Sequence, residues 1–164
     1  MSKPRLTLAE REQVVEEAIS LIKEPANWVT GKWKCELYET DKKGNIVYDE
    51  NRQPIPVRDL YNRPQAQYCI EGAVHEAMHR VVGSDRAQRM GAYFEDGDCC
   101  EIWPTDILGI DALAREKYPE ICEDEAHAAM VLNDYHVGRK SKLGHGRILG
   151  LLQDTLDQIK AKKR

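Results

Sequence analysis

Apolar positions along this chain recur mostly at helical spacing. Val15, Ala18, Ile19 and Ile22 make one stripe, so a helix is expected from about residue 8 to Lys23. Thr7-Leu8-Ala9-Glu10 opens it as a capping box, the threonine hydroxyl taking one free amide and the glutamate reaching back to another. Pro25 closes it. Cys35 to Thr40 and Ile46 to Asp49 flank Asp41-Lys42-Lys43-Gly44-Asn45. That pattern predicts a β-hairpin with Gly44 in the left-handed position. Residues 50–64 are rich in Pro, Asn and Arg and are expected to form an irregular loop with at most a short edge strand. Further helices are expected over Gln65–Val82, Ser84–Tyr93, Ile107–Lys117 and Glu120–Leu132. A loop should follow over Asn133–Lys140. The last helix, capped by Ser141, should bury Ile148, Leu152, Leu156 and Ile159. No internal repeat is evident. The expected fold class is α+β, predominantly α-helical, with about five to six helices and one β-hairpin inserted after the first helix.

The length of 164 residues suits a single domain over 1–164, with short flexible ends at 1–6 and 161–164. Hydrophobic residues make up 41% and charged residues 32%, as in soluble globular proteins. A net charge of −4 speaks against a general nucleic-acid binder, which carries a basic excess. One segment departs from this balance, with Arg139, Lys140, Lys142, His145 and Arg147 close together. It is the alternative nucleic-acid surface. The basic tail of Lys160, Lys162, Lys163 and Arg164 suits a helix C-terminus, where the macrodipole favours cations. No apolar run reaches the ~20 residues of a membrane span, and no signal-peptide core follows Lys3-Pro4-Arg5. A cytoplasmic location and no membrane partner are therefore expected. The five cysteines include the vicinal pair Cys99-Cys100 but no C-x-x-C pair, so free thiols are expected in a reducing compartment.

His75-Glu76-Ala77-Met78-His79 matches the H-E-x-x-H pattern of zinc hydrolases. Histidines at i and i+4 share a helix face and hold one metal, and the glutamate activates the metal-bound water. That alternative makes His75, His79 and Asp85 the metal ligands and Glu76 the base. Asp85 falls six residues after His79, where an extended motif has its third ligand. Glu123, His127 and His136 are other candidate ligands. Helix phase favours a plainer reading. Cys69, Ile70, Ala73, Val74, Ala77, Met78 and Val81 fan across one side, which leaves Glu71, Gly72, His75, Glu76 and His79 on an opposite, solvated side. No cofactor is then required. Cys69 falls on the apolar side as a buried thiol rather than a nucleophile. Glu123-Asp124-Glu125 is expected at a helix start, where the dipole favours acids.

Three islands stand in order along the chain: Trp28-Val29-Thr30-Gly31, Cys69-Ile70-Glu71-Gly72-Ala73 and Leu132-Asn133-Asp134. Over roughly residues 8 to 160 they resemble an uncharacterised domain family of actinobacteria and their bacteriophages. That family has a W-x-x-G after its first helix, C-x-x-G-A at a helix start and a W-N-D-like turn before the last helix. Leu132 stands where the family tends to have an aromatic. The resemblance implies the topology and a phage or actinobacterial origin, with no assigned activity. At Gly72 the missing side chain is expected to admit another backbone or Trp28. Asn133 and Asp134 are expected to make a turn or cap the next segment. The functional alternative is that Trp28, Cys69, Asn133 and Asp134 converge on one small-ligand pocket. The expected function is that of a phage-encoded accessory protein that binds a host protein or a small molecule. Trp33, the 50–64 loop and the 84–104 segment are its candidate contact surfaces.

Overall fold

The computed structural model describes residues 5–90, 103–135 and 142–164. The predominantly helical α+β class holds. Among these residues are eight α-helices and one two-stranded antiparallel sheet. Helix α1 spans Leu8–Ile22 and carries the expected capping box, with Thr7 N–H donating to Glu10 Oε2 at 2.8 Å and Glu10 N–H to Thr7 Oγ1 at 3.2 Å. Val14 joins Val15, Ala18 and Ile22 on its fully buried stripe. A 3-10 turn over Pro25–Asn27 follows.

Strand β1 (Lys34–Glu36) pairs with β2 (Ala66–Tyr68), not with the segment at 46–49. The helix expected from Gln65 is therefore displaced. Its first residues are β2, Cys69 is the cap, and α2 spans Ile70–Val82. Helix α3 is Ser84–Arg89. The single helix expected over 107–117 is two, α4 (Pro104–Ile107) and α5 (Ile110–Lys117), broken at Gly109, whose φ is +76°. The helix expected over 120–132 is also two, α6 (Pro119–Cys122) and α7 (Ala128–Asp134). Glu123-Asp124-Glu125 thus follows α6 instead of starting a helix. Asn133 and Asp134 end α7 and do not begin a loop. Helix α8 covers Lys142–Lys162, and the expected Ser141 cap lies outside the described residues.

Helices α1, α2 and α8 form the centre of the core. Ile148 and Leu152 of the predicted α8 stripe are fully buried, and Leu156 and Ile159 nearly so. Leu6 is buried in the core, Lys160 pairs with Glu16 at 3.3 Å, and Lys163 pairs with Glu12. Arg80 of α2 bonds Glu17 of α1 at 2.8 Å and Glu76 at 3.0 Å, which ties the two central helices together.

The expected turn forms, closed by an antiparallel bridge between Thr40 and Ile46 with Gly44 at positive φ, but residues 50–64 are no irregular loop after it. Residues 37–65 form an arm with three similar turns. Asp41 Oδ1 accepts the amides of Lys43 and Asn45, Asp49 Oδ1 those of Asn51 and Gln53, and Asp59 Oδ1 those of Tyr61 and Arg63. The residue three after each aspartate has positive φ: Gly44, Arg52 and Asn62. Between the turns, backbone bonds close into rings of three. Leu37 donates to Gln65, Gln65 to Val57 and Val57 back to Leu37, at 2.8–3.1 Å. Glu39, Ile55 and Val47 close a second ring at 2.8–3.0 Å. The expectation of no internal repeat is corrected accordingly. The repeat is Asp with Asn, Gln or Arg four residues on, and its spacing of eight and then ten residues hides it.

Candidate functional site

The three sequence islands meet at Asn133, which is 2% exposed. Its Oδ1 accepts Trp28 Nε1–H at 2.8 Å and the Ile70 amide at 3.0 Å. Its Nδ2 donates to the Val29 carbonyl at 3.1 Å and to Asp134 Oδ1 at 2.8 Å. All four hydrogen-bonding positions of the amide are used. Asp134 Oδ1 also accepts the Gly31 amide at 3.0 Å. A side chain at the end of α7 thus holds the segment after α1 and the first turn of α2. Apart from Asp134 beside it, its partners among the described residues all lie in those two segments, so a long-range clamp stands where a local turn or cap was expected.

Cys69 caps α2, its sulfur accepting the Gly72 amide at 3.4 Å. Burial pushes the thiol up to about 12, so it is neutral and no nucleophile. Gly72 is where the backbone of Trp33 crosses α2. A Cβ there would collide with the Trp33 carbonyl. The close approach expected at this glycine is therefore made by Trp33 and not by Trp28.

The clamp frames a cavity of about 290 Å³ lined by Gly31, Lys32, Trp33, Cys69, Glu71, Trp103, Met130 and Asp134. Trp33 is 41% exposed at its mouth. Trp103, just before α4, stacks on His127, just before α7, with centroids 4.0 Å apart. Of the predicted binding residues, Trp33, Cys69 and Asp134 line this cavity. Trp28 and Asn133 stand behind it as its frame.

Glu71 lies where the helix phase of α2 did not put it. It was expected on a solvated side of α2, yet it is 1% exposed. Its Oε2 is 2.5 Å from Thr105 Oγ1, and that hydroxyl is 2.6 Å from Asp111 Oδ2. Asp111 Oδ1 accepts the Ala129 amide at 2.8 Å. Burial pushes Glu71 up to about 8, with the neighbouring Asp111 adding repulsion, and burial raises Asp111 as well. Thr105, Asp111, Trp103 and Met130 carry no motif in the sequence. Glu71 does have a signal, since it sits inside the Cys69–Ala73 island.

The zinc motif has a mixed geometry. The rings of His75 and His79 lie 4.4 Å apart, centroid to centroid. His75 packs edge-on against Trp33 at 5.4 Å, and both its ring nitrogens are shielded from solvent. This corrects the solvated-face reading for His75. Glu76, the base of the alternative, is held by Arg80. Among the described residues no three His, Cys, Asp or Glu side chains gather as a metal would need, so neither Asp85 nor His127 completes a set with the two histidines. His136 lies outside the described residues. The basic segment loses one member, since His145 is buried, with Nε2 2.6 Å from the Ile22 carbonyl and its ring against Trp28. Arg139 and Lys140 lie outside the described residues, as do Cys99, Cys100 and most of the 84–104 segment. Cys35, Cys69 and Cys122 are free thiols. No helix among the described residues is long and apolar enough to cross a membrane.

No family model, curated protein or solved structure matches this chain.

Proposed function

We propose that this protein acts by binding a small molecule in the cavity between Trp33 and Trp103. The observation that carries this reading is the convergence of three distant sequence islands on a fully satisfied Asn133, directly behind a cavity with apolar walls and two carboxyl groups. Small-ligand sites have this composition, apolar surface for affinity and a few polar groups for orientation. With the family resemblance, the reading fits a phage or actinobacterial accessory protein. The test is a fragment set monitored by tryptophan fluorescence and thermal shift, with Met130→Trp as a variant that fills the cavity. Saturable binding lost in the filled variant supports the reading. A set of fragments that leaves both proteins unchanged opposes it.

A second reading, contact with a host protein, is favoured by the arm. At the tip of its third turn Leu60 is 101% and Tyr61 80% exposed. Apolar and aromatic tips of this kind serve as anchors in protein interfaces. A partner retained by wild type and lost with Leu60→Ser/Tyr61→Ser would favour the arm over the cavity. Equal retention by both would set the arm aside.

A further inference from the structure

Thr105 Oγ1 lies 2.5 Å from Glu71 Oε2 and 2.6 Å from Asp111 Oδ2. A hydroxyl has one proton and donates to one acceptor here. The other contact needs a proton on its carboxyl. Asp111 has a second strong bond, from the Ala129 amide at 2.8 Å, which outweighs the opposing contact of the Asp106 carboxyl, whereas among the described residues the remaining oxygen of Glu71 meets only the Thr105 amide at 3.4 Å. The better-bonded group keeps its charge. Glu71 therefore carries the proton and donates to Thr105, which donates to Asp111.

Among the described residues no cation faces the pair, and an uncompensated pair favours keeping one proton. Among the described residues neither Glu71 nor Asp111 has a lysine or arginine partner. The other charges around Glu71 are acidic: Asp106 of α4, and Asp134 of α7 across the cavity. Lys32 is exposed at the rim, where water screens its charge. The neighbouring imidazoles are His75, one turn along α2, and His127, stacked behind Trp103. The cavity therefore joins two indoles and a thioether to a buried carboxyl that lacks a counter-ion among the described residues.

We propose that the cavity takes a small organic cation, an ammonium with apolar substituents, and that its binding displaces the proton of Glu71. The proposal rests on the cavity reading above. Indole faces attract ammonium groups, more strongly when both are desolvated, and Met130 adds polarizable surface. The balance is simple. The O–H bond of Glu71 breaks, the proton leaves to solvent, and the cation takes over its charge. Because Glu71 is held up to about 8, affinity rises about tenfold per pH unit below that value and levels off above it.

The test is calorimetry on the full chain with tetramethylammonium, choline and benzyltrimethylammonium, using 3,3-dimethylbutan-1-ol as the uncharged match for choline. Titrations in phosphate and in Tris, from pH 6 to 9, count released protons through the buffer-dependent heat. The expected result is at least tenfold preference for choline over its neutral match at pH 8, with close to one proton released at pH 7. In Glu71→Gln the pH slope and the proton release should both vanish. If that variant fails to fold, Trp103→Leu should lose the preference for the charged probe and keep the neutral one. Equal binding of choline and the alcohol, or binding without proton release, overturns the cation proposal and leaves the cavity reading intact. Binding by none of the three cations also overturns it. The fragment set and Met130→Trp then decide the cavity reading separately.

Discussion

Asn133 Oδ1 accepts the indole N–H of Trp28 at 2.8 Å across 105 residues of sequence. The same oxygen takes the Ile70 amide at 3.0 Å, so one side chain joins the start of α2 to the segment after α1. Both donors are buried. Asn133→Ala would leave the Trp28 N–H and the Ile70 amide without this acceptor and the Val29 carbonyl without this donor. Each of the two buried donors costs on the order of 1–3 kcal/mol, and the half-buried Val29 carbonyl less. The expected loss is about 3–4 kcal/mol in urea unfolding. Asn133→Asp should do no better, because its second oxygen would face the Val29 carbonyl and Asp134 Oδ1, which now accept hydrogen bonds. A loss below about 1 kcal/mol in either variant would show that the clamp is dispensable.

Gly72 and Gly150 both lie within helices, and they should respond oppositely to alanine. A Cβ on Gly72 meets the Trp33 carbonyl, which is backbone and also accepts the Cys69 amide at 3.1 Å. Gly72→Ala should therefore prevent folding or displace Trp33. Nothing stands within 4 Å of a Cβ on Gly150. Gly150→Ala should stabilise α8 by roughly 0.5–1 kcal/mol, the usual helix gain. Thermal melts of the two variants, with tryptophan emission to report on Trp33, check both. A normal melting temperature for Gly72→Ala would contradict the close packing.

Glu71 makes stability fall with pH over a defined window. Its carboxyl is raised from 4.5 to about 8 in the folded chain, so between those values the folded state holds a proton that the unfolded state has released. Stability from this group is complete below about 4.5, is lost as pH rises toward 8, and changes little beyond. Glu10 acts with the opposite sign. Arg86 and the Thr7 amide hold it at about 2, so its contribution is present above its ordinary value and is lost as pH falls through 2. Glu71→Gln keeps a neutral side chain of the same shape at every pH. It should match wild type near pH 4.5 and exceed it by a few kcal/mol at pH 8.5. Parallel urea curves across that range would show that Glu71 does not titrate in the folded protein.

Local signals were legible in the sequence, and most long-range ones were not. The capping box at Thr7 and Glu10 and the α8 stripe depend on residues within a turn or two, so spacing alone exposes them. Helix phase gave the direction of Glu71 around α2 but not what covers it. Trp33, α4 and α7 cover that side, which turned an expected solvent face into part of the site. The breaks at Gly109 and between α6 and α7 follow from one left-handed residue and from His127, which leaves helical geometry. The residues of Asn133's clamp were visible as islands, but their contact is tertiary.

The arm shows the same limit at the level of single turns. Gly44 announces its turn, because glycine is the ordinary residue at positive φ. Arg52 and Asn62 occupy the equivalent positions at φ 60° and 61° and give no such signal. Asparagine tolerates this conformation and arginine does not favour it. Arg52→Gly should relieve the strain by up to about 1 kcal/mol, while Asn62→Gly should gain only a few tenths. Asp49→Ala should have the opposite effect, since Asp49 Oδ1 holds the amides of Asn51 and Gln53 at 2.8 and 2.9 Å. The Ile55 amide, which closes the adjacent three-membered ring onto Val47, is the reporter. Its hydrogen exchange should slow in Arg52→Gly, quicken in Asp49→Ala and hardly move in Asn62→Gly. Quicker exchange in Arg52→Gly would mean that the arginine side chain contributes more to the turn than its backbone strain takes away.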